Sequence, residues 1–126
     1  METIVKEKIL LFQCADAMKI RNIAAMQGIE TEEIPLPRWN EKLGQLAGLF
    51  PREGASLFMG KTPGKSLMVF CALGEGKLDQ MLSELRKNKI SVDYKAILTP
   101  VNMQWNVMQL YFEMEMERQA ILKNKK

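Results

Sequence analysis

Residues 66–105, SLMVFCALGEGKLDQMLSELRKNKISVDYKAILTPVNMQW, decide how the chain folds. Leu67 to Leu73 form an unbroken apolar run, which predicts a strand covered on both faces. Gly74-Glu75-Gly76 then opens a helix in which Leu78, Met81, Leu82 and Leu85 recur at helical spacing, a single stripe that faces a sheet. From Ser91 to Thr99, Val92, Tyr94, Ala96 and Leu98 alternate with Asp93 and Lys95. That alternation predicts an edge strand, ended by Pro100. Asn106 followed by Gln109 is a capping-box pattern for a last helix reaching about Leu122.

A weaker version of the same plan occupies Lys8 to Asn40. Lys8-Ile9-Leu10-Leu11-Phe12-Gln13 reads as a second inner strand. Asp16 caps a helix running to about Gln27, with Gly28 placed to end it in a left-handed turn. Glu30-Thr31-Glu32-Glu33-Ile34 is an edge strand whose like charges discourage pairing with other chains, and Pro35 and Pro37 stop it. Asn40 is the expected N-cap of a short helix carrying Leu43, Leu46 and Ala47. The turn-rich residues 50–65 join pseudo-repeat halves of about 8–50 and 66–122 within a single domain, 1–126. Phe12 matches Phe70, and Ile20, Ile23 and Ala24 match Leu78, Met81 and Leu82.

The fold class is therefore α/β: one small four-stranded sheet built from two β-α-β-α halves, with helices on both faces. The favoured arrangement is parallel in the order 2-1-3-4. The alternative is a ferredoxin-like antiparallel sheet in the order 4-1-3-2, which normally joins its second and third strands by a short connection. Both put the two apolar strands at the centre.

Composition removes several chemistries. The 126 residues contain no histidine, so a Ser–His–Asp triad, a Cys–His dyad and a His-based zinc site are excluded within the chain. A net charge of +3, partly from the terminal Lys123-Asn124-Lys125-Lys126, places nucleic acid last among partner classes. The apolar run Ile9–Phe12 is too short for a signal-peptide core or a membrane span. The expected setting is the cytoplasm, with reduced thiols.

In a wholly parallel sheet every strand exit lies on one rim, where open α/β sheets bind ligands. The candidate ligand-binding residues there are Arg38, Trp39, Asn40, Gly74, Gly76, Thr99, Asn102 and Trp105. The tryptophans would supply flat walls, Asn and Thr hydrogen bonds, and Arg38 a fixed cation. Gly64-Lys65-Ser66 resembles the end of a phosphate-binding loop, but Met59 stands where the first glycine belongs and the segment precedes a strand. Cys14 and Cys71 follow matching strand ends and form a weak candidate redox pair. Met108, Tyr111 and Met114 on the last helix mark a candidate homodimer surface. No catalytic residue, metal ligand or cofactor is assigned.

The run VFCALGEGKLDQMLSELRKNKI followed by YKAILTPVNMQW resembles an uncharacterised family of small bacterial proteins classed as a domain of unknown function. The resemblance is carried by Phe70, Leu78, Leu82, Leu85, Lys95, Ala96, Thr99, Pro100, Asn102 and Trp105. It implies no activity, ligand or catalytic residue. The leading expectation is a non-enzymatic ligand-binding or regulatory module. The alternatives are a cysteine-dependent enzyme or redox protein and a homodimerising structural subunit.

Overall fold

A computed structural model describes residues 7–51 and 54–124. The leading METIVK and, of the terminal basic run, Lys125 and Lys126 lie outside the described residues. In chain order the elements are β1 (Lys8–Phe12), α1 (Ala17–Met26), β2 (Glu30–Glu33), a 3-10 turn (Leu36–Asn40), α2 (Leu43–Leu46), β3 (Leu67–Cys71), α3 (Glu75–Lys87), β4 (Tyr94–Ile97), a second 3-10 turn (Asn102–Gln104) and α4 (Val107–Asn124). They form two compact units. The first combines Met1–Pro35 with Gly64–Leu98, and the second combines Leu36–Pro63 with Thr99–Lys126.

The first unit holds a four-stranded sheet in the order β2-β1-β3-β4. The order agrees with the favoured arrangement and removes the ferredoxin-like 4-1-3-2. Strand direction requires a correction. β1 pairs with β2 and β3 with β4 in parallel, but β1 and β3 run antiparallel, with Leu10 opposite Val69. The sheet is mixed. Uniform apolarity says that a strand is central and nothing about which way it runs.

The reversal moves the helices. Strand–helix–strand crossovers are right-handed, so two crossovers leading outward from an antiparallel central pair fall on the same face of the sheet. α1 and α3 accordingly share one core on that face, with Ile9, Leu11, Met68 and Phe70 of the strands under Ile20, Ala24, Met81 and Leu85 of the helices. The alternate strand residues Leu10, Phe12, Leu67, Val69 and Cys71 are buried as well, so both faces of the central strands are covered. Each of these side chains stabilises the fold by about 1.5–3 kcal/mol relative to exposure.

The edge strands behave as their composition predicts. On β2, Glu32 meets Lys8 at 2.6 Å and Glu33 meets Arg21 at 3.7 Å. At the start of β3, Asp93 accepts from the Ser66 N–H at 2.8 Å and closes the approach to β4. Gln13 and Ala72, which follow β1 and β3, both take a positive φ, +57° and +61°. Such a turn bends the chain back at the end of an inner strand toward its helix.

The second unit packs α2 and α4 around Trp39, Leu43, Leu46, Val107, Leu110 and Tyr111, all buried. The two helix starts are tied by an antiparallel bridge between Lys42 and Asn106, and the Leu43 N–H donates to the Trp105 carbonyl at 2.8 Å. Asn106 Oδ1 accepts from the Gln109 N–H at 2.9 Å, the expected cap of α4. Asn40 is not the cap of α2. The 3-10 turn carries the chain past it, Lys42 takes the N-cap position, and the Gln45 side chain accepts the Lys42 N–H at 2.9 Å.

Candidate functional site

The mixed sheet dissolves the shared rim. β1 and β2 end at one edge of the sheet, leading to Gln13, Cys14 and Ile34, whereas β3 and β4 end at the opposite edge, leading to Ala72, Gly74 and Leu98. Gly74 and Gly76 stay in the first unit at the start of α3. A Cβ added to either would meet nothing within 4 Å, so neither glycine is there for a close backbone approach.

The thiols separate for the same reason. Cys14 Sγ sits 3.5 Å from the Leu67 carbonyl, while Cys71 stands opposite Lys8 at the far end of the β1–β3 pair. Leu67 and Cys71 are the two ends of β3, roughly 13 Å apart at strand rise, well beyond disulfide reach. Burial pushes the Cys14 thiol above its usual range, against the lowering effect of the Phe12 and Leu67 carbonyl contacts. Burial raises Cys71 to about 12. A nucleophile or redox thiol needs the thiolate, and both environments suppress it.

The remaining candidates, Arg38, Trp39, Asn40, Thr99, Asn102 and Trp105, all belong to the second unit, where most are structural. Trp39 is 1% exposed. Its ring stacks on Tyr111 with centroids 5.6 Å apart and on Phe58 at 6.0 Å, so its faces are taken by the core. Thr99 and Asn102 form a reciprocal pair: Asn102 Oδ1 accepts the Thr99 N–H at 2.8 Å, and Thr99 Oγ1 accepts the Asn102 N–H at 3.0 Å. That pair fixes the turn into α4. The half-buried Trp105 contributes its carbonyl to Leu43. Tyr111 lies under Trp39 and is 3% exposed, which removes it from the candidate dimer surface, while Met108 and Met114 are half-buried.

Arg38 differs from these. The 3-10 turn aims it along its own axis at Glu41, and the guanidinium grips that carboxylate at two points, Nε to Oε2 at 2.7 Å and Nη2 to Oε1 at 3.1 Å. The side chains are 22% and 9% exposed. This fork-to-fork geometry is the strong form of a charged hydrogen bond. The pair lines an open cleft of about 360 Å³, together with Pro37 and the segment Gly54–Leu57. Asn40 holds that segment in place, donating from Nδ2 to the Ser56 carbonyl at 3.0 Å, and the Phe58 N–H donates to the Pro37 carbonyl at 3.0 Å. A smaller cleft of about 230 Å³ lies among Lys42, Gln45, Phe50, Pro51 and Gln104.

Glu41 and the 54–57 segment are the part that sequence reasoning missed. The signal for Glu41 was present, since opposite charges three residues apart after Pro37 meet on one side of a turn. The 54–57 segment carries no motif and is placed by Asn40.

Among the described residues, no group of three or more His, Cys, Asp or Glu side chains is arranged to hold a metal ion, and no helix is long and apolar enough to cross a membrane. The arrangement defines an α/β protein with a small mixed sheet and an ion-paired cleft. Residues 66–121 match the family model described as Domain of unknown function (DUF3783). Neither the curated proteins nor the solved structures contain a match to the chain.

Proposed function

We propose that the protein is a non-enzymatic binding module and that its ligand site is the Arg38–Glu41 cleft. The observation that carries this reading is a nearly buried ion pair at the wall of an open cleft of about 360 Å³. Withdrawing two charges from water costs several kcal/mol per ion before their attraction is counted, and an apolar pair of equal volume often stabilises a fold as well or better. A pair retained at a cleft wall, with opposite charges side by side and apolar Pro37 and Leu57 nearby, suits a small polar ligand carrying charge. Chemistry is disfavoured on the residues themselves, since the chain has no histidine and both thiols are held protonated.

The test is a thermal-shift screen with amino acids, dicarboxylates and nucleoside monophosphates, followed by calorimetric titration of each hit. Arg38→Gln is expected to abolish binding in a chain that still unfolds cooperatively, while Asn102→Ala lowers stability and leaves affinity intact. Affinity unchanged in Arg38→Gln, or no hit from any class, counts against the site.

A second reading, a structural subunit that self-associates, is favoured by α4. Phe112 and Met116 lie one turn apart and are 62% and 55% exposed. Sedimentation at increasing concentration distinguishes the two: a constant mass of 14.4 kDa rules out the subunit reading.

A further inference from the structure

We propose that residues 7–50 are a second, diverged copy of the domain matched at 66–121, and that the inner edge of β3 is a self-recognition surface. Its natural partner is another copy of the same unit, supplied here by the N-terminal half. The inference rests on agreement of detail beyond a shared element order. The spacing from Lys8 to Leu67 at the strand starts recurs from Gln13 to Ala72, the two residues of positive φ that leave those strands. Each first helix ends alike: the Ile29 N–H donates to the Ala24 carbonyl and the Ile90 N–H to the Leu85 carbonyl, both at 2.9 Å, just after Gly28 and Lys89 at positive φ. β2 joins β1 from Lys8↔Glu30, and β4 joins β3 from Leu67↔Tyr94, the same register. Beyond each edge strand, the Ile34 N–H bonds the Leu11 carbonyl and the Leu98 N–H bonds the Phe70 carbonyl, again both at 2.9 Å. The spacing from Glu30 to Tyr94 recurs from Lys42 to Asn106, the two residues of the bridge in the second unit.

The central pairing carries the argument from likeness to recognition. By these spacings Lys8 corresponds to Leu67, Leu10 to Val69 and Phe12 to Cys71, and the helix ends pair Ala24 with Leu85. These pairings correct the match of Phe12 to Phe70 and of Ala24 to Leu82 read from the sequence. In the sheet Lys8 faces Cys71, Leu10 faces Val69 and Phe12 faces Leu67. Lys8 faces the equivalent of Phe12, Phe12 faces the equivalent of Lys8 and Leu10 faces its own equivalent, the self-complementary pattern of an interface between two copies of one unit about a two-fold axis. On the core face, Ile9 and Leu11, the equivalents of Met68 and Phe70, face Phe70 and Met68, and a slip of one residue would turn these apolar side chains to the other face. The N-terminal copy has diverged in the loop before its second helix, where Pro35, Arg38 and Glu41 stand in the places of Thr99, Asn102 and Trp105. That divergence accounts for a family match confined to one half.

The full chain tests this with a graft in which residues 8–46 are replaced by 67–110, the equivalent span, so that both halves carry the same unit. The expected result is one cooperative urea transition and the oligomeric state of the parent. Its amide spectrum shows the two copies of the β3 sequence as near-coincident peaks. An unfolded or non-cooperative graft counts against the proposal. A second measurement keeps the native sequence and inserts a protease site between Gly54 and Ala55. After cutting and dilution from urea, the C-terminal piece alone is expected to recover strand signal and to sediment as a pair. Recovery only when the N-terminal piece is added overturns self-recognition.

Discussion

Replacing Glu41 by Gln keeps the volume and most hydrogen-bonding capacity of the side chain and removes its charge, so it isolates what the Arg38 pairing contributes. An exposed pair of this kind is worth about 0.2–1 kcal/mol, and removing one partner of a fully buried pair costs about 3–5 kcal/mol. Arg38 and Glu41, at 22% and 9% exposed, lie between these limits, nearer the buried one for the carboxylate. Glu41→Gln is therefore expected to lower stability by about 2 kcal/mol, a fall of about 1 M in the urea midpoint at a slope of about 2 kcal/mol/M. Arg38→Gln should cost a similar amount. The double variant should lose less than the sum, with a coupling of about 1–2 kcal/mol, because neither charge is then left without the other. The assay is urea unfolding of the four chains followed by circular dichroism. A loss below about 0.5 kcal/mol for Glu41→Gln, or strict additivity, would refute the view that the cleft wall is held by a strong ion pair.

Three further outcomes follow from the same geometry. Trp39→Ala, which opens a cavity between Phe58 and Tyr111, should cost about 3–5 kcal/mol and broaden the aromatic NMR signals of both neighbours; a loss under about 1 kcal/mol would mean the ring is not core. Asn102→Ala removes the acceptor of the Thr99 N–H and should lower the thermal midpoint by an amount equivalent to about 1–2 kcal/mol, with Asn102→Asp nearly neutral. The Cys71 thiol sits at 9.0 when unfolded and about 12 when folded, so its contribution is full below pH 9 and is lost as the pH rises from 9 toward 12, where only the unfolded chain ionises. The stability difference between the parent and Cys71→Ala should shrink by about 2 kcal/mol between about pH 8 and about pH 10.5; a constant difference would contradict the buried thiol.

The fold was legible where a residue's meaning is local. The apolar runs of β1 and β3, the stripe of α3, the glycine end of α1 and the Asn106 cap all lie where period and capping chemistry put them, and those runs also fix which strands are central. Strand direction was not legible, because a strand buried on both faces carries the same pattern in either sense. From that one undetermined property came the misplaced rim and the paired thiols. Asn40 illustrates the other limit. A good capping residue after a proline pair is equally suited to holding a neighbouring segment, and here its side chain reaches the Ser56 carbonyl instead. The site was half legible. Arg38 stood out as a cation at a strand exit. Trp39 was read as an open wall, since an aromatic residue at an element end is written the same way whether it plugs a core or lines a pocket.

The antiparallel β1–β3 pair is the point on which the account turns, because it sends the strand exits to opposite edges and leaves the cleft of the second unit as the candidate site. Nuclear Overhauser contacts between the α-protons of the two strands test it directly. The antiparallel register predicts these contacts at the non-hydrogen-bonded pairs, Ile9 with Phe70 and Leu11 with Met68. Contacts placing Ile9 beside Met68 and Leu11 beside Phe70 would contradict it.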